Sequence, residues 1–282
     1  NTTASNNTAV GKSALTANTT GTGHVAVGYA ALASSTTDTG NTAVGYNALT
    51  SHTTSGGAYN VAIGWAALDA STDGHSNVGI GKNALGTLTT ADNNTAVGTS
   101  ALAANTTGNS LVAVGTNALA ANTTASYNTA VGFSALNANT TGTPNTAVGY
   151  FALDSNTTAA NNTAVGYDAL TAATTGGANS GIGHNAGKGI TTATGNTAVG
   201  AYTNQAACTG NDNTSVGYYS LSANTSGTRN AALGTSCLGA NTTGSDNVAI
   251  GHNTLDVNTT GHSNVAVGKD ALGANITGQD NV

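Results

Sequence analysis

The stretch NTAVGY at residues 41–46 decides the fold, because versions of it recur along the whole chain. The same letters return at 145–150 and 162–167, and NVAIGW stands at 60–65. Indexed on the glycine of this phrase, the 282 residues hold sixteen repeats, spaced by 17 residues except for one step of 19. A fixed period means that one structural unit is stacked many times. The sequence therefore predicts an all-β parallel solenoid, or β-roll, of about 16 coils with 17 residues per coil.

Columns of equivalent residues predict which side chains form the core. The residue before the indexed glycine is Val, Ile or Leu in every repeat, the one before that is small, and a Leu follows four residues after the glycine in fourteen repeats. Because alternate residues of a strand face opposite sides, we expect the branched column to face inward with the Leu column, and the small column to face outward. The predicted core ladder contains Val10, Val27, Val44, Ile63, Ile80, Val97, Leu15, Leu32, Leu49 and Leu68.

Polar and flexible residues predict the corners of the coil. An Asn precedes most strands, where its side chain bonds local backbone and can build an amide ladder from coil to coil. The indexed glycine indicates a second corner that needs a positive φ or a close backbone approach. Residues 1–282 are interpreted as a single repeat array, with a two-residue insertion near 55–59 and degenerate repeats over 183–210.

The composition argues against several functions. Only 6% of residues are charged and the formal net charge is -6, so the chain has no basic cluster that would bind nucleic acid. It has no apolar run of 18 residues that would insert into a membrane. The six His are isolated in sequence and the Asp residues fall at varied offsets, so we expect no metal, cofactor or catalytic residue and no enzymatic activity. Cys208 and Cys237 lie about two coils apart at different offsets, which disfavours a disulfide but leaves it open.

Three repeated features are candidate surfaces. An aromatic column after the glycine indicates either an adhesive, glycan-stacking stripe or packing between chains. Asn-x-Thr/Ser sequons indicate either glycosylation or a turn motif. An outward Thr column raises the alternative of ice binding. The aromatic column contains Tyr29, Tyr46, Trp65, Phe133, Tyr150, Tyr167 and Tyr218. The sequons include Asn105, Asn122, Asn139 and Asn156.

The phrases NVAIG at 60–64 and 247–251, NVGIG at 77–81 and NVAVG at 264–268, each followed by an AL-like pair, carry a resemblance. They resemble the head repeats of YadA-like trimeric autotransporter adhesins, and the TAVGYxAL arrays are similar to those of some bacteriophage tail fibres. The resemblance implies a left-handed β-roll with three chains side by side. The small column independently favours a flush contact between chains.

Together these observations lead us to expect a structural extracellular fibre segment, a rigid rod at the cell surface or on a virion with an adhesive role. Its expected partners are copies of itself, as a homotrimer or filament, and a host-surface glycan or matrix. The alternatives are a phage tail-fibre shaft, a self-assembling filament and an ice-binding solenoid.

Overall fold

The computed structural model describes residues 3–282 and is built from short strands joined by turns, with no helix in that range. The strands are β1 (Thr8–Val10), β2 (Val25–Val27), β3 (Thr42–Val44), β4 (Val61–Ile63), β5 (Val78–Ile80), β6 (Thr95–Val97), β7 (Val112–Val114), β8 (Thr129–Val131), β9 (Thr146–Val148), β10 (Thr163–Val165), β11 (Ser180–Ile182), β12 (Thr197–Val199), β13 (Thr214–Val216), β14 (Ala231–Leu233), β15 (Val248–Ile250) and β16 (Val265–Val267).

Within β1 to β8 and within β9 to β16, the strands follow one another in chain order and pair in parallel. The register joins equivalent positions of successive repeats, so that Ala9 lies opposite Ala26. Between β3 and β4 the partners are Thr42 and Val61, which places the two extra residues in the connection rather than in a strand. The predicted all-β parallel solenoid, with one strand in each 17-residue repeat, is therefore confirmed.

The chain divides into two compact units, one ending at Pro144 and the other beginning at Asn145. The first unit carries β1 to β8 and the second carries β9 to β16. At ~4.8 Å between neighbouring strands, the eight strands of one unit span about 34 Å.

A leucine holds the turn after fourteen of the sixteen strands in the left-handed backbone region, and most of these leucines are buried. Leu32 has a φ of 52° and Leu119 a φ of 51°, and both are fully buried. This conformation costs a residue with a side chain roughly 1–2 kcal/mol, whereas burial of a leucine side chain returns roughly 1.5–3 kcal/mol. The Leu32 amide also donates to the Ala48 carbonyl of the next coil at 3.0 Å. The Leu column thus fixes both the core and the turn.

The indexed glycine ends each strand in a conformation that requires glycine. Gly149 has a φ of 143°, and a Cβ at this position would lie 2.2 Å from the carbonyl oxygen of Gly166 in the next coil. Both the positive φ and the close contact exclude a side chain. The predicted glycine corner is confirmed.

The interior is filled by Ala and Leu, so the predicted orientation of the strands is wrong. The middle residues of the strands, such as Ala26 and Ala43, are fully buried, whereas Val10 is 58% exposed and Ile63 is 38% exposed. The Leu members of the predicted ladder are buried, namely Leu15, Leu32, Leu49 and Leu68. The branched members face outward and are partly or largely exposed, namely Val10, Val27, Val44, Ile63, Ile80 and Val97.

The thinness of the coil explains this reversal. A Cβ added to Gly181 would lie 2.7 Å from Cγ of Leu170, and one added to Gly79 would lie 3.1 Å from Cδ1 of Leu68. The leucine side chain already occupies the space behind the strand, so the middle strand position has room for little more than a methyl group. The small column reflects packing inside one chain, and our inference that it marks a contact between chains is wrong.

Buried asparagines build the predicted amide ladder before the strands. The backbone N–H of Asn77 donates to Oδ1 of Asn60 at 2.9 Å, and that of Asn94 donates to Oδ1 of Asn77 at 3.0 Å. Nδ2 of Asn77 donates to the Ala91 carbonyl at 2.8 Å. Each amide thus satisfies buried backbone groups of its own coil and of a neighbouring one, which stabilises the stack.

Candidate interaction surface

The outward side of the strands forms an uncharged surface with an apolar row that recurs on every coil. We call it the branched face: the first and third residues of strands β1 to β8 in one unit and of β9 to β16 in the other. No charged residue occupies either position. The third residue is always Val, Ile or Leu, and Ile182 and Leu233 are 43% and 49% exposed. Exposed, contiguous apolar surface without charge is typical of an interaction site.

Beside the branched face, one residue past the corner glycine, aromatic rings stack along the first unit. The rings of Tyr29 and Tyr46 lie 5.0 Å apart at 11°, and those of Tyr46 and Trp65 lie 6.3 Å apart at 7°. Lys12 Nζ lies 5.9 Å from the Tyr29 ring centroid, and Lys82 Nζ lies 5.6 Å from the Trp65 centroid. A lysine therefore caps each end of a three-ring stack.

A second stack lies in the second unit. Tyr150 and Tyr167 stack at 5.2 Å and 5°, and His184 continues this stack at 5.2 Å from Tyr167. Tyr202 lies edge-on to His184 and stacks on Tyr219 at 4.9 Å and 10°. Sequence reasoning missed three of these rings. His184 shares the aromatic column, but Tyr202 and Tyr219 come one position later in their repeats, so only the structure brings them together.

The structure joins most of the predicted aromatic stripe, but with the ring faces covered. Phe133 and Tyr218 are 42% and 50% exposed, and Tyr218 lies edge-on to Tyr219 at 4.6 Å. A sugar that stacks on an aromatic ring needs an open ring face. Rings about 5 Å apart leave no space for a sugar between them. The stripe presents ring edges, and this geometry favours packing over glycan stacking.

The sequon asparagines lie inside the coil. Asn105, Asn122, Asn139 and Asn156 are 0% exposed. Nδ2 of Asn105 donates to the Gly108 carbonyl at 2.9 Å, and Nδ2 of Asn122 donates to Oδ1 of Asn105 at 3.0 Å. Glycosylation would modify this same nitrogen, so the prediction of glycosylation is wrong for the folded chain. The turn motif is the correct interpretation.

Adjacent threonines have different environments. Oγ1 of Thr106 donates to the Thr123 carbonyl at 3.1 Å, and Oγ1 of Thr242 donates to the Thr259 carbonyl at 3.0 Å. The following residue, Thr107, is exposed. Only one threonine column therefore faces solvent at this corner, which is narrower than the two-column plane that ice binding would use.

A buried polar cluster interrupts the regular columns of the first unit. It comprises His24, Ser35, Asp38, Asn41 and His52, all fully buried. His24 Nε2 lies 3.6 Å from Oδ1 of Asp38, and His52 Nε2 lies 3.4 Å from Oδ2. Ser35 and Asn41 donate to the same carboxylate. The six histidines are isolated in sequence, but the fold brings two of them to one carboxylate.

His52 is the least satisfied member of this cluster, since both of its ring nitrogens lack a hydrogen-bond partner. Burial is the main cause that lowers the pKa of His52, and the nearby His75 and His24 lower it further. The carboxylates of Asp38 and Asp73 act in the opposite direction and raise this pKa. The cluster replaces Asn and Gly at inward positions of consecutive repeats, at a spacing of 14 residues from His24 to Asp38 and from Asp38 to His52. That substitution pattern is the signal by which the sequence could have revealed it.

Both cysteines are buried and unpaired. Burial raises the pKa of the Cys208 thiol and raises that of Cys237 to about 11. In the degenerate segment the strands nevertheless keep the 17-residue register, since Ile182 lies opposite Val199 and Val199 lies opposite Val216. Asn204 is buried there in place of the usual leucine. The segment is therefore a drifted repeat rather than an interruption.

Within residues 3–282, no group of three or more His, Cys, Asp or Glu residues is placed to hold a metal ion. The same range contains no helix that is long and apolar enough to span a membrane. Comparison with models of protein families and with curated proteins finds no match.

Proposed function

We propose that this chain is a segment of an extracellular structural fibre that assembles side by side with identical chains through the branched face and contributes to surface attachment. The observation that supports the proposal is the outward position of Val, Ile or Leu in every strand. These side chains are partly exposed in a single chain, so their burial in an assembly would lower its free energy.

The apolar rows supply part of the free energy that association requires. Burying a Val, Leu or Ile side chain completely is worth roughly 1.5–3 kcal/mol. Ile250 is 39% exposed and Ile182 43% exposed, so each retains about 0.6–1.2 kcal/mol to gain on contact. Eight residues at these exposures would offer roughly 5–10 kcal/mol, which is comparable to the cost of about 4–15 kcal/mol that association carries. The Thr and Val residues at the first strand position add to this total.

A second copy of the chain is the partner that matches this surface best. The branched face has one row of side chains per coil, at ~4.8 Å intervals, and carries no charge. A copy of the same chain has the same interval and the same lack of charge, so the rows of two chains can interdigitate along each unit. An ordinary globular partner lacks this repeat and would cover only a few coils.

The resemblance to YadA-like adhesin heads implies an assembly of three left-handed chains. In such an assembly each branched face would turn toward the common axis and the aromatic stacks would flank it. The solvent-facing threonine column would remain available for contact with a host glycan or matrix. A phage fibre shaft or a self-assembling filament would bury the same branched face between its chains. These alternatives differ in what the fibre is attached to and not in how its chains pack.

The molar mass in solution tests the proposal. We expect a homotrimer by light scattering or sedimentation. The variant Ile182→Lys places a charge on the branched face and should lower the molar mass to that of one chain while leaving the circular dichroism spectrum unchanged. The matched control Thr192→Lys, at the exposed threonine column, should remain trimeric. A monomeric parent protein, or an equal effect of the two variants, would contradict the proposal.

A further inference from the structure

Three pairs of tyrosines on adjacent coils are held face to face. Their ring centroids lie 4.9 to 5.2 Å apart, with angles of 5 to 11° between the ring planes. The rings are only partly buried, with Tyr46 47% and Tyr167 48% exposed. The pairs are Tyr29 with Tyr46, Tyr150 with Tyr167, and Tyr202 with Tyr219.

We propose that these stacked pairs are sites of oxidative modification, at which a peroxidase with hydrogen peroxide joins the two tyrosines of a pair as dityrosine. The product would be a covalent bond between one coil and the next on the outside of the solenoid. The inference does not depend on the proposed function, because each pair lies within a single chain.

The chemistry balances with the oxidant that we name. Each tyrosine loses one electron and its phenolic proton to become a tyrosyl radical. The two radicals form a carbon–carbon bond between positions next to the hydroxyl groups, and the hydrogen on each coupled carbon moves to the oxygen and restores the phenol. One molecule of hydrogen peroxide accepts the two electrons and two protons and becomes two molecules of water.

The structure favours coupling within a pair over other outcomes. Two tyrosyl radicals on separate molecules must meet by diffusion, whereas stacked rings on paired coils are already in contact, which gives a high effective concentration. Side chains at adjacent positions of the ladder project from coils only ~4.8 Å apart. Because the rings are partly exposed, they can splay enough to bring the coupling carbons together without unfolding the coil.

Two other tyrosines provide an internal control. Tyr59 is 63% exposed and Tyr127 is 67% exposed, so an oxidant reaches them more easily than it reaches the stacked rings. Neither contacts another aromatic ring among the described residues. If exposure alone governs the reaction, Tyr59 and Tyr127 will be the main sites of cross-linking. If stacking governs it, they will be absent from intrachain dityrosine.

The test is oxidation of the purified protein, in whatever assembly it adopts, with peroxidase and hydrogen peroxide. Dityrosine is measured by its fluorescence, and the joined peptides are identified by mass spectrometry through the loss of two hydrogen atoms. We expect the three stacked pairs as intrachain products. Tyr167→Phe retains the ring but should abolish the cross-link to Tyr150 and leave the other two, whereas Tyr127→Phe should change none of them.

Two results would overturn the proposal. One is the absence of dityrosine in peptides from the stacked pairs. The other is a product distribution dominated by Tyr59 and Tyr127, whether within a chain or between chains. A normal circular dichroism spectrum of each variant shows that a lost cross-link does not result from a lost fold.

Discussion

The orientation of the strands can be tested by two substitutions in one coil, Leu119→Ala and Val114→Ala. Leu119 is fully buried and Val114 is 36% exposed. Truncation of a buried leucine to alanine lowers the free energy of unfolding by about 2.7–5 kcal/mol, because transfer energy is lost and a cavity remains. Val114→Ala removes two methyl groups, worth about 1.6 kcal/mol if fully buried and about 1 kcal/mol at this exposure. Leu119 has a φ of 51°, and alanine meets the same backbone strain there, so that cost cancels.

We expect Leu119→Ala to lower the free energy of unfolding at least twice as much as Val114→Ala. The measurement is urea denaturation followed by circular dichroism at low protein concentration. Hydrogen exchange of the amides in this coil would show whether it opens locally, since solenoids can lose single coils. Repetition at high concentration separates fold from assembly, because the effect of Val114→Ala should grow when the branched face is buried against another chain. An equal or larger effect of Val114→Ala at low concentration would refute an inward Leu and an outward Val.

Three further outcomes are expected. The pKa of His52 is lowered below its ordinary value in the fold, so the unfolded chain takes up a proton first, and the free energy of unfolding should fall as the pH drops below about 6.5. His52→Asn restores the residue that is common seven positions after the indexed glycine, and it should weaken this pH dependence in urea denaturation. An unchanged dependence of the free energy of unfolding on pH would contradict the role given to His52. Gly166→Ala should lower the free energy of unfolding by more than about 1 kcal/mol, because the added Cβ would lie 2.3 Å from the Gly183 carbonyl oxygen. A melting temperature equal to that of the parent protein would disprove this close contact. Cys237, whose thiol pKa is raised to about 11, should resist alkylation at neutral pH until urea is added, and rapid labelling of the folded chain would show that it is accessible.

The branched face gives so thin a coil a reason to associate. The surface outside that face is rich in Thr, Ser and Asn rather than in charge. Such groups hydrogen-bond to water without long-range repulsion, so identical chains can approach closely. In the proposed assembly, the apolar rows would determine which side of the chain is buried.

The sequence alone determined the fold class of this protein. A 17-residue period with a Leu column, a glycine that admits no other residue and an Asn before most strands can be satisfied only by stacked coils, and each of these features is local to one repeat. The buried cluster around Asp38 was also present in the sequence, as three substitutions at inward columns, although its meaning depended on knowing which columns face inward.

Only the tertiary structure decided which side of each strand faces the core. Alternation along a strand divides the residues into two sets, but it does not say which set is inside, and a Val column beside an Ala column is compatible with both answers. The position of the leucine side chain behind the strand decides which set faces the core. This side chain fills the space behind Ala113 and its equivalents, so only a methyl group fits inside and the branched side chains must lie outside. The same geometry buried Asn105 and stacked Tyr202 on Tyr219, since both depend on how far apart two coils lie.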